Sequence, residues 1–397
     1  VGNDVNTFWD NLTAGKSGID FITKFDTTDF KAKLAAEVKD FDPSPYYKDK
    51  SEIRRNDIFS QYAMGAATEA MSDSGLDKYD YNPLRLGVYI GSGIGGINTF
   101  VAETHKLAAR GPSRVSPLFI PMMISNIAAG NIAIRFGARG PSLPVVTACA
   151  SSGNAIGEAM RAIRHNYADI IIAGGTEGTI TPLAVAGFTN CMALSESSDK
   201  ERASIPFDKE RNGFVMGEGA GIIILEEYEH AKARGAKIYA ELCGYGNTCD
   251  ASHITAPRED AEGAAAAIAL AAAEAGGIKR GEGIYINAHG TSTPLNDAAE
   301  TLAIKMALGE NAHRAMISST KSMTGHMLGA AGGTEAIACI LAIKNSVVPP
   351  TIGYKIPDPQ CDLDYVPNVK RESAVDIAFS NSLGFGGHNA CLAFRKI

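Results

Sequence analysis

Cys149 is the residue of this sequence with the clearest potential for chemistry. It lies between Val145–Val146, which indicates the end of a buried strand, and a run of small residues from Ser151 that predicts a helix. A cysteine at this junction faces the unpaired N–H groups and the positive end of the helix dipole, which favours the thiolate. The sequence therefore allows a nucleophilic cysteine, with a small buried hydrophobic residue as the structural alternative.

Two histidines in the second part of the chain are candidate partners of this cysteine. His289 follows the apolar run in YINAHGTSTPLND, and His326 follows Lys321 in KSMTGHMLGAAGG, ahead of a helix opened by small residues. Together with Cys149 they form a nucleophile with two potential proton or hydrogen-bond donors, although each histidine alone is more often structural. Phe385, embedded in glycines in NSLGFGGHNA, is either a gate on a flexible turn or a core aromatic residue.

Two short segments match motifs of other enzyme classes, but the rest of each motif is missing from the sequence. Gly91, Gly93 and Gly96 follow a strand with the spacing of a dinucleotide-binding turn, but no acidic residue for the ribose follows about 20 positions later. We expect these glycines to permit close backbone approach in a tight turn. Ser318 and Lys321 have the spacing of a serine acyl-enzyme motif, whose other segments are missing.

The interval between Glu103 and Glu158 contains no carboxylate, although the protein as a whole is acidic. We expect Cys149, which lies in this interval, to be free of nearby negative charge that would raise its pKa. The basic side chains of the interval either offer a surface to an acidic partner or are ordinary solvated residues. They are Lys106, Arg110, Arg114, Arg135 and Arg139.

The elements that must position these residues alternate between strand-like and helical segments. Apolar runs such as RLGVYIGSG, ADIIIAGGTEG and GIYINAHGTS are separated by Ala-rich helical segments such as GAAAAIALAAAEAGG. This alternation predicts a layered α/β fold. Strand–turn–helix units recur on both sides of Gly244, and we therefore expect two similar halves, residues 1–244 and 245–397.

Composition argues against several classes of protein. The 397 residues carry a net charge of −7, which argues against a general nucleic-acid-binding protein. Seven cysteines without a C-x-x-C pair argue against a disulfide framework and a zinc site, and they fit a reducing compartment. The longest apolar run, at 264–273, is far shorter than the ~20 residues of a membrane span, and the start of the chain does not resemble a signal peptide. We therefore expect a soluble, cytoplasmic protein without a membrane segment.

Five segments together resemble the β-ketoacyl-[acyl-carrier-protein] synthases: TACASSG, DKERNGFVMGEGAG, HGTSTPLND, KSMTGHMLGAAGG and NSLGFGGHN. They cover the chain in the family's order and are most similar to the elongating type II enzymes, the 3-oxoacyl-ACP synthases II (ACP, acyl carrier protein). The resemblance implies a thiolase-like fold, in which two related α/β halves form a five-layered α-β-α-β-α body. It also implies a homodimer whose interface lies at or near residues 140–175.

The activity implied by the resemblance is a decarboxylating Claisen condensation that elongates a fatty acyl chain by two carbons. In it Cys149 takes the acyl group from acyl-ACP as a thioester, and malonyl-ACP supplies the carbanion. His289 and His326 donate hydrogen bonds to the malonyl thioester, while Lys321, with Glu335, maintains the electrostatics and geometry of the histidine pair. No metal ion and no diffusible redox cofactor are implied.

Further residues match functional positions of the family. The backbone N–H groups of Cys149 and Phe385 match the oxyanion hole. The positions that match the pantetheine contacts and the acyl pocket are Thr291, Thr293, Ile94, Phe119 and Phe188. The positions that match carrier-protein docking are Arg54, Arg55 and Arg114, although Met192 stands in a region where a relative carries arginine.

Two alternatives remain within this resemblance. A chain-length factor is a non-catalytic relative that lacks the cysteine, and a polyketide-type condensing enzyme is a catalytic relative. Initiating synthases use a Cys–His–Asn set, whereas this sequence has two histidines in elongating-type segments. Members of the family begin with a short apolar strand ahead of the segment that matches Val1, and this sequence lacks that strand. We therefore expect ordered residues ahead of Val1. Without them, one edge of the sheet in the first half would be unpaired.

Overall fold

The computed structural model describes residues 1–397 and contains fourteen strands and thirteen α-helices. The strands are β1 (Asp20–Phe21), β2 (Leu34–Ala36), β3 (Leu86–Gly91), β4 (Ser142–Val145), β5 (Ile170–Glu177), β6 (Met216–Gly217), β7 (Gly219–Glu226), β8 (Glu241–Cys249), β9 (Ile284–Asn287), β10 (Met316–Ser318), β11 (Val347–Val348), β12 (Arg371–Glu372), β13 (Ile377–Gly384) and β14 (His388–Arg395). The helices are α1 (Val5–Thr13), α2 (Lys50–Ile53), α3 (Ile58–Asp73), α4 (Ile97–Arg110), α5 (Phe119–Met123), α6 (Ile127–Phe136), α7 (Ser151–Arg164), α8 (Pro182–Asn190), α9 (Tyr228–Ala233), α10 (Glu262–Glu274), α11 (Pro294–Leu308), α12 (Lys321–Thr324) and α13 (Ala331–Asn345).

The first large sheet has four strands in the order β4-β3-β5-β7. β3 is parallel to β4 and β5, whereas β7 runs antiparallel to β5. Every residue of β3 and β5 is buried, because α3 and α6 cover one face of the sheet and α7 and α13 cover the other. Burial on both faces explains why these strands have continuous rather than alternating apolar residues.

The second large sheet has five strands in the order β10-β9-β13-β14-β8. β9 is parallel to β10 and β13, while β13 and β14 form an antiparallel hairpin that continues into β8. The Ala-rich helix α10 packs on this sheet together with α11, and small alanine side chains allow the close approach. The predicted boundary at Gly244 lies within β8, which belongs to this second sheet.

The two sheets share one central helical layer. α7 and α13 contact both sheets and lie between them, in an apolar cluster that joins side chains from both halves. The layers are therefore α3 with α6, the first sheet, α7 with α13, the second sheet, and α10 with α11. This order confirms the predicted five-layered α/β fold. No helix combines the length and the apolar character needed to cross a bilayer.

The outer strands of the first sheet differ from the sequence prediction. The segment ending at Val145–Val146 was expected to be buried, but Leu143 is 49% and Val146 54% exposed, because β4 is an edge strand. β5, by contrast, is an interior strand of the sheet and is buried throughout. The other edge strand, β7, has no strand partner on its outer side, and it lines a cavity of about 1420 Å³.

Candidate active site

Cys149 lies in a 3₁₀ turn, Ala148–Ala150, that connects β4 to α7. The turn is closed by the Ser151 side chain, whose Oγ accepts a hydrogen bond from Thr147 N–H (2.9 Å) and donates to Ala148 O (2.7 Å). Cys149 is only 9% exposed and packs in an apolar cluster with Phe214 and other side chains. The predicted position between a strand and the N-terminus of a helix is thus confirmed.

The protonation of Cys149 differs from the prediction. Burial raises its pKa to about 12, although the Lys321 ammonium and a hydrogen bond from Phe385 N–H act to lower it. Glu177 and Glu335 raise the pKa further, so the expectation of a thiol without nearby negative charge is wrong. Both carboxylates come from distant parts of the chain. The acid-free interval describes the neighbourhood of Cys149 in sequence and not its neighbourhood in space.

His289 and His326 lie side by side, with ring centroids 5.2 Å apart and ring planes at 86°. Both are buried, and burial together with the Lys321 ammonium lowers the pKa of each imidazole well below its usual value. Both rings are therefore neutral at neutral pH. Nδ1 of each ring is buried without a hydrogen-bond partner in the protein. Because a neutral imidazole donates from one nitrogen, each histidine can donate one hydrogen bond to a substrate carbonyl.

The backbone of each histidine is held by a different element. Glu300 of α11 accepts hydrogen bonds from the N–H groups of His289 and the next residue, at 2.7 Å each, and burial raises the pKa of Glu300 to about 7. His326 N–H donates to Val215 O (2.7 Å), and His326 O accepts from Gly217 N–H (2.8 Å). Sequence reasoning missed Glu300, whose only signal was a carboxylate on the helix that follows the His289 turn.

Lys321 is the buried cation of the site. It is 1% exposed and forms an ion pair with Glu335, whose Oε2 has no partner and whose pKa is raised by burial. Ser318 and Lys321, which have the spacing of a serine acyl-enzyme motif, are not hydrogen-bonded to each other. The hydroxyl of Ser318 is hydrogen-bonded to Tyr285 OH (3.0 Å) instead. Lys321 thus faces Glu335, and its charge acts on the histidines and on the thiol.

Phe385 lies in the turn between β13 and β14 and is half-buried. Its N–H donates to the Cys149 thiol, and a Cβ at Gly384 would lie 3.2 Å from Cys149 N, so the two turns touch. Neither Cys149 N–H nor Phe385 N–H donates to a backbone carbonyl. Two N–H groups that no backbone carbonyl occupies, beside one nucleophile, are what a developing oxyanion requires.

Known protein families with similar sequences show which reaction class this site belongs to. A family model described as Beta-ketoacyl synthase, N-terminal domain, matches residues 1–231, and its C-terminal domain counterpart matches residues 239–355. The chain belongs to the β-ketoacyl synthase family. The 3-oxoacyl-[acyl-carrier-protein] synthase 2 of Synechocystis sp. (strain ATCC 27184 / PCC 6803 / Kazusa) is 52% identical to this synthase over 397 residues, which are 100% of this chain and 95% of that protein.

Solved structures agree with this family. The ishigamide ketosynthase/chain length factor has a TM-score of 0.92 and 37% identity, and covers 100% of this chain and 96% of its own. The AntDE:AntF structure, a type II PKS acyl-carrier protein in complex with its ketosynthase bound to the hexaketide, has a TM-score of 0.89 and 36% identity, and covers 99% of this chain and 95% of its own. The predicted family, thiolase-like fold and enzyme class are thus confirmed: the chain is an acyltransferase-type condensing enzyme.

The predicted acyl-pocket residues of the synthase separate into two groups. Ile94 and Phe188 pack against the apolar cluster that contains Cys149, and the Phe188 ring lies 6.4 Å from the Phe385 ring. Phe119 lies outside that cluster. It is half-buried on α5, and its nearest aromatic neighbour is on α4. The structure of a single chain therefore brings two of the three predicted pocket residues to the nucleophile.

The remaining predicted positions of the synthase lie on its loops and surface. Thr291 and Thr293 follow β9 in the His289 turn, and their hydroxyl oxygens are 2.9 Å apart. The three docking candidates are all exposed: Arg54, Arg55 and Arg114. The glycines of the turn after β3 allow close approach as expected, since a Cβ at Gly91 would lie 2.4 Å from the backbone of α7.

Proposed function

We propose that this synthase is an elongating 3-oxoacyl-[acyl-carrier-protein] synthase that condenses an acyl group with malonyl-ACP. The observation that carries the proposal is that one buried cation, Lys321, acts on the Cys149 thiol and on both neutral histidines, while the Phe385 N–H faces the same thiol. The presence of Cys149 disfavours a chain-length factor. The higher identity to 3-oxoacyl-ACP synthase 2 (52%) than to the polyketide ketosynthases (36% and 37%) favours the fatty acyl over the polyketide alternative.

In the first half-reaction Cys149 Sγ attacks the thioester carbon of acyl-ACP. The new C–S bond forms first and turns the carbonyl oxygen into an oxyanion. When this tetrahedral intermediate collapses, the bond to the carrier's pantetheine sulfur breaks, and that sulfur leaves with the proton that the Cys149 thiol gave up. Because burial favours the neutral thiol, the proton leaves as the attack proceeds rather than beforehand. The N–H groups of Cys149 and Phe385 hold the oxyanion of the tetrahedral intermediate.

In the second half-reaction malonyl-ACP loses carbon dioxide, and its thioester oxygen becomes an enolate. His289 and His326 donate hydrogen bonds to this oxygen, and their low pKa keeps both donors present in the same neutral form across neutral pH. The enolate carbon then attacks the acyl carbon, the C–S bond to Cys149 breaks, and the departing thiolate takes a proton from solvent to restore the neutral thiol. Lys321, paired with Glu335, keeps a positive charge near the developing anion.

Intact-protein mass spectrometry with a series of acyl-ACPs tests this proposal. The protein should gain the mass of one acyl group, peptide mapping should place that group on Cys149, and malonyl-ACP should then release 3-oxoacyl-ACP. Incubation with malonyl-ACP alone is the control, because it shows whether the malonyl group itself is transferred to the protein. Acylation of another cysteine, or an acylated Cys149 that malonyl-ACP does not discharge, contradicts the proposal.

We also propose that the synthase is a homodimer whose second copy covers the exposed edge of β4. Leu143, Val146 and, on the adjacent α6, Ile134 (80%) are exposed apolar residues at this edge. An open apolar strand edge promotes association with another strand. Sedimentation velocity should give a dimer for the wild type and a monomer for Leu143→Lys. A fully active wild-type monomer contradicts this assignment.

An acyl carrier protein is the partner that we propose for the mouth of the site. A related ketosynthase is in complex with its acyl carrier protein. The exposed Arg54, Arg55 and Arg114 suit an acidic partner, whereas Met192, 89% exposed, adds an apolar surface. Arg54→Glu with Arg55→Glu should raise KM for acyl-ACP while leaving the rate with a small acyl-pantetheine thioester unchanged. Equal losses with both donors contradict a docking role.

A further inference from the structure

Glu177 is a fully buried carboxylate beside the site that the proposed reaction does not use. It ends β5, and its Oε2 accepts hydrogen bonds from Gly93 N–H (2.8 Å) and Gly329 N–H (2.9 Å). Its Oε1 accepts from Ile94 N–H (3.2 Å). Burial raises the pKa of Glu177, and hydrogen bonds rather than a cation oppose that effect.

Two hydroxyl groups complete the set of donors around Glu177. Ser92 Oγ and Thr179 Oγ1 each lie 3.2 Å from Oε1, and Ser92 Oγ also accepts a hydrogen bond from Gly95 N–H (3.0 Å). The donors come from three separate stretches of chain: the turn after β3, the segment after β5 and the turn before α13. One side chain therefore joins two segments of the first half to one of the second.

The joined turns carry two walls of the apolar space around Cys149. Ile94 of the first turn packs against the Cys149 cluster, and Leu328 of the second belongs to it. The turns are in direct contact, since a Cβ at Gly329 would lie 2.2 Å from Gly93 N. The position of Ile94 relative to Leu328 thus depends on the hydrogen bonds that Glu177 accepts from both turns.

We propose that Glu177 is a positioning residue that sets acyl-chain selectivity by fixing the Ile94 and Leu328 walls relative to each other. The proposal rests on the proposed function, because it places the acyl chain in the apolar space beside Cys149. The hydrogen bonds of Glu177 are to backbone N–H groups and two hydroxyls, and none is to Cys149. Its effect on selectivity passes through the backbone N–H groups that it holds.

Glu177→Gln tests this role. A Gln side chain keeps one acceptor oxygen and places an NH₂ group against N–H donors, so at least one amide loses its acceptor. The ratio of Cys149 acylation rates for dodecanoyl over butyryl donors should rise about tenfold, as expected when one hydrogen bond to a charged group is lost and a wall relaxes. Asp208→Asn is the control for a buried carboxylate elsewhere in the fold. Asp208 holds the N–H groups of Lys355 (2.7 Å) and Ile356 (2.9 Å), is also ion-paired with Arg202, and lies outside the Cys149 cluster. It should lower stability without changing the ratio.

Two further measurements keep the proposal open to refutation. Ser92→Ala removes only the hydroxyl between Glu177 and Gly95. It should change the ratio in the same direction by about threefold, because the carboxylate keeps its bonds to both turns. Amide hydrogen exchange at residues 92–96 should become faster in Glu177→Gln and not in Asp208→Asn. If no acyl donor acylates the wild-type protein, the proposed function is refuted. The hydrogen-exchange experiment would then still show whether Glu177 holds the turn at residues 92–96. An unchanged ratio in folded Glu177→Gln, or in Ser92→Ala if Glu177→Gln does not fold, overturns the proposal.

Discussion

The turns Ala148–Ala150 and Leu328–Ala330 are the same backbone unit in the two halves of the molecule. Each is a 3₁₀ turn that runs directly into a helix of the central layer, α7 in the first case and α13 in the second. Each opens with a non-glycine residue in the left-handed region, at φ 49° for Ala148 and 48° for Leu328. The middle residue differs: it is Cys149 in one turn and Gly329 in the other.

The neighbours of the middle residue explain this difference. Beside Gly329 there is no room for a side chain, because a Cβ would lie 2.2 Å from Gly93 N and 2.7 Å from Glu177 Oε2. Beside Cys149 the side chain has space and receives the N–H of Phe385. One turn geometry therefore presents a nucleophile in the first half and a backbone contact in the second, and packing decides which.

Replacing the middle residue of the first turn should have the largest effect. Cys149→Ser nearly keeps the size of the side chain, but a hydroxyl is a much weaker nucleophile than sulfur and gives up its proton even less readily than the buried thiol. We therefore expect condensation to fall below detection. The measurement is acyl-adduct formation by intact mass together with 3-oxoacyl-ACP production. Cys191→Ser, at an exposed cysteine, is the control and should behave as the wild type. A stable acyl adduct on the C149S protein would refute the assignment.

Removing either histidine should separate the two half-reactions. His289→Ala and His326→Ala should each slow carbon dioxide release from malonyl-ACP by about 10²–10³, because the enolate loses one donor. Single-turnover acylation of Cys149 should be largely retained, since neither histidine is needed to hold the acyl oxyanion. If both activities fall in parallel in both variants, a histidine is instead the base that deprotonates the thiol.

A side chain at the middle of the second turn should destabilise the protein. Gly329→Ala forces a Cβ against the backbone of the Gly93 turn, and we expect a loss of about 1–3 kcal/mol in the free energy of unfolding. Urea unfolding measures the change. Gly187→Ala in α8 is the control, because a Cβ there meets no atom within 4 Å, and it should be neutral or stabilising. Equal stability of both variants would show that the turns can separate without cost.

The pH dependence of alkylation should distinguish the buried thiol from an activated thiolate. With a pKa of about 12, the thiolate fraction of Cys149 rises throughout the accessible range, so alkylation should accelerate about tenfold per unit between about pH 7 and 9, without a plateau. Iodoacetamide trapping followed by peptide mass spectrometry gives the profile. Lys321→Met should slow alkylation at every pH, because the ammonium lowers the pKa of Cys149. A plateau below about pH 9 would mean that the helix N-terminus outweighs burial.

The smallest effect concerns the first residue of the turn. Ala148→Gly removes the steric cost of a left-handed alanine but increases the freedom of the unfolded chain, so we expect stabilisation of less than about 1 kcal/mol. Thermal unfolding resolves such a change, and Ala150→Gly, in the same turn without a positive φ, should be destabilising by comparison. Loss of stability in Ala148→Gly would show that the Ala148 methyl group makes contacts that outweigh the backbone strain.

The sequence by itself determined the properties that depend on neighbours along the chain. Apolar runs predicted β3, β5 and β9, and the change from strand to small-residue helix placed Cys149 in its turn. The five segments that resemble the family predicted the class of enzyme. These predictions succeeded because strand length, helix initiation and turn formation depend on residues a few positions apart.

Only the tertiary structure decided the properties that depend on burial and on distant residues. Folding brings Glu177 and Glu335, which both lie outside the acid-free interval, close to Cys149, and desolvation then outweighs the helix terminus in setting the pKa of the thiol. In the same way β4 became an exposed edge strand although its sequence suggests burial, and Glu300 became the support of His289. Solvent exclusion and contacts between remote segments set these features, and neither quantity is encoded in the local order of residues.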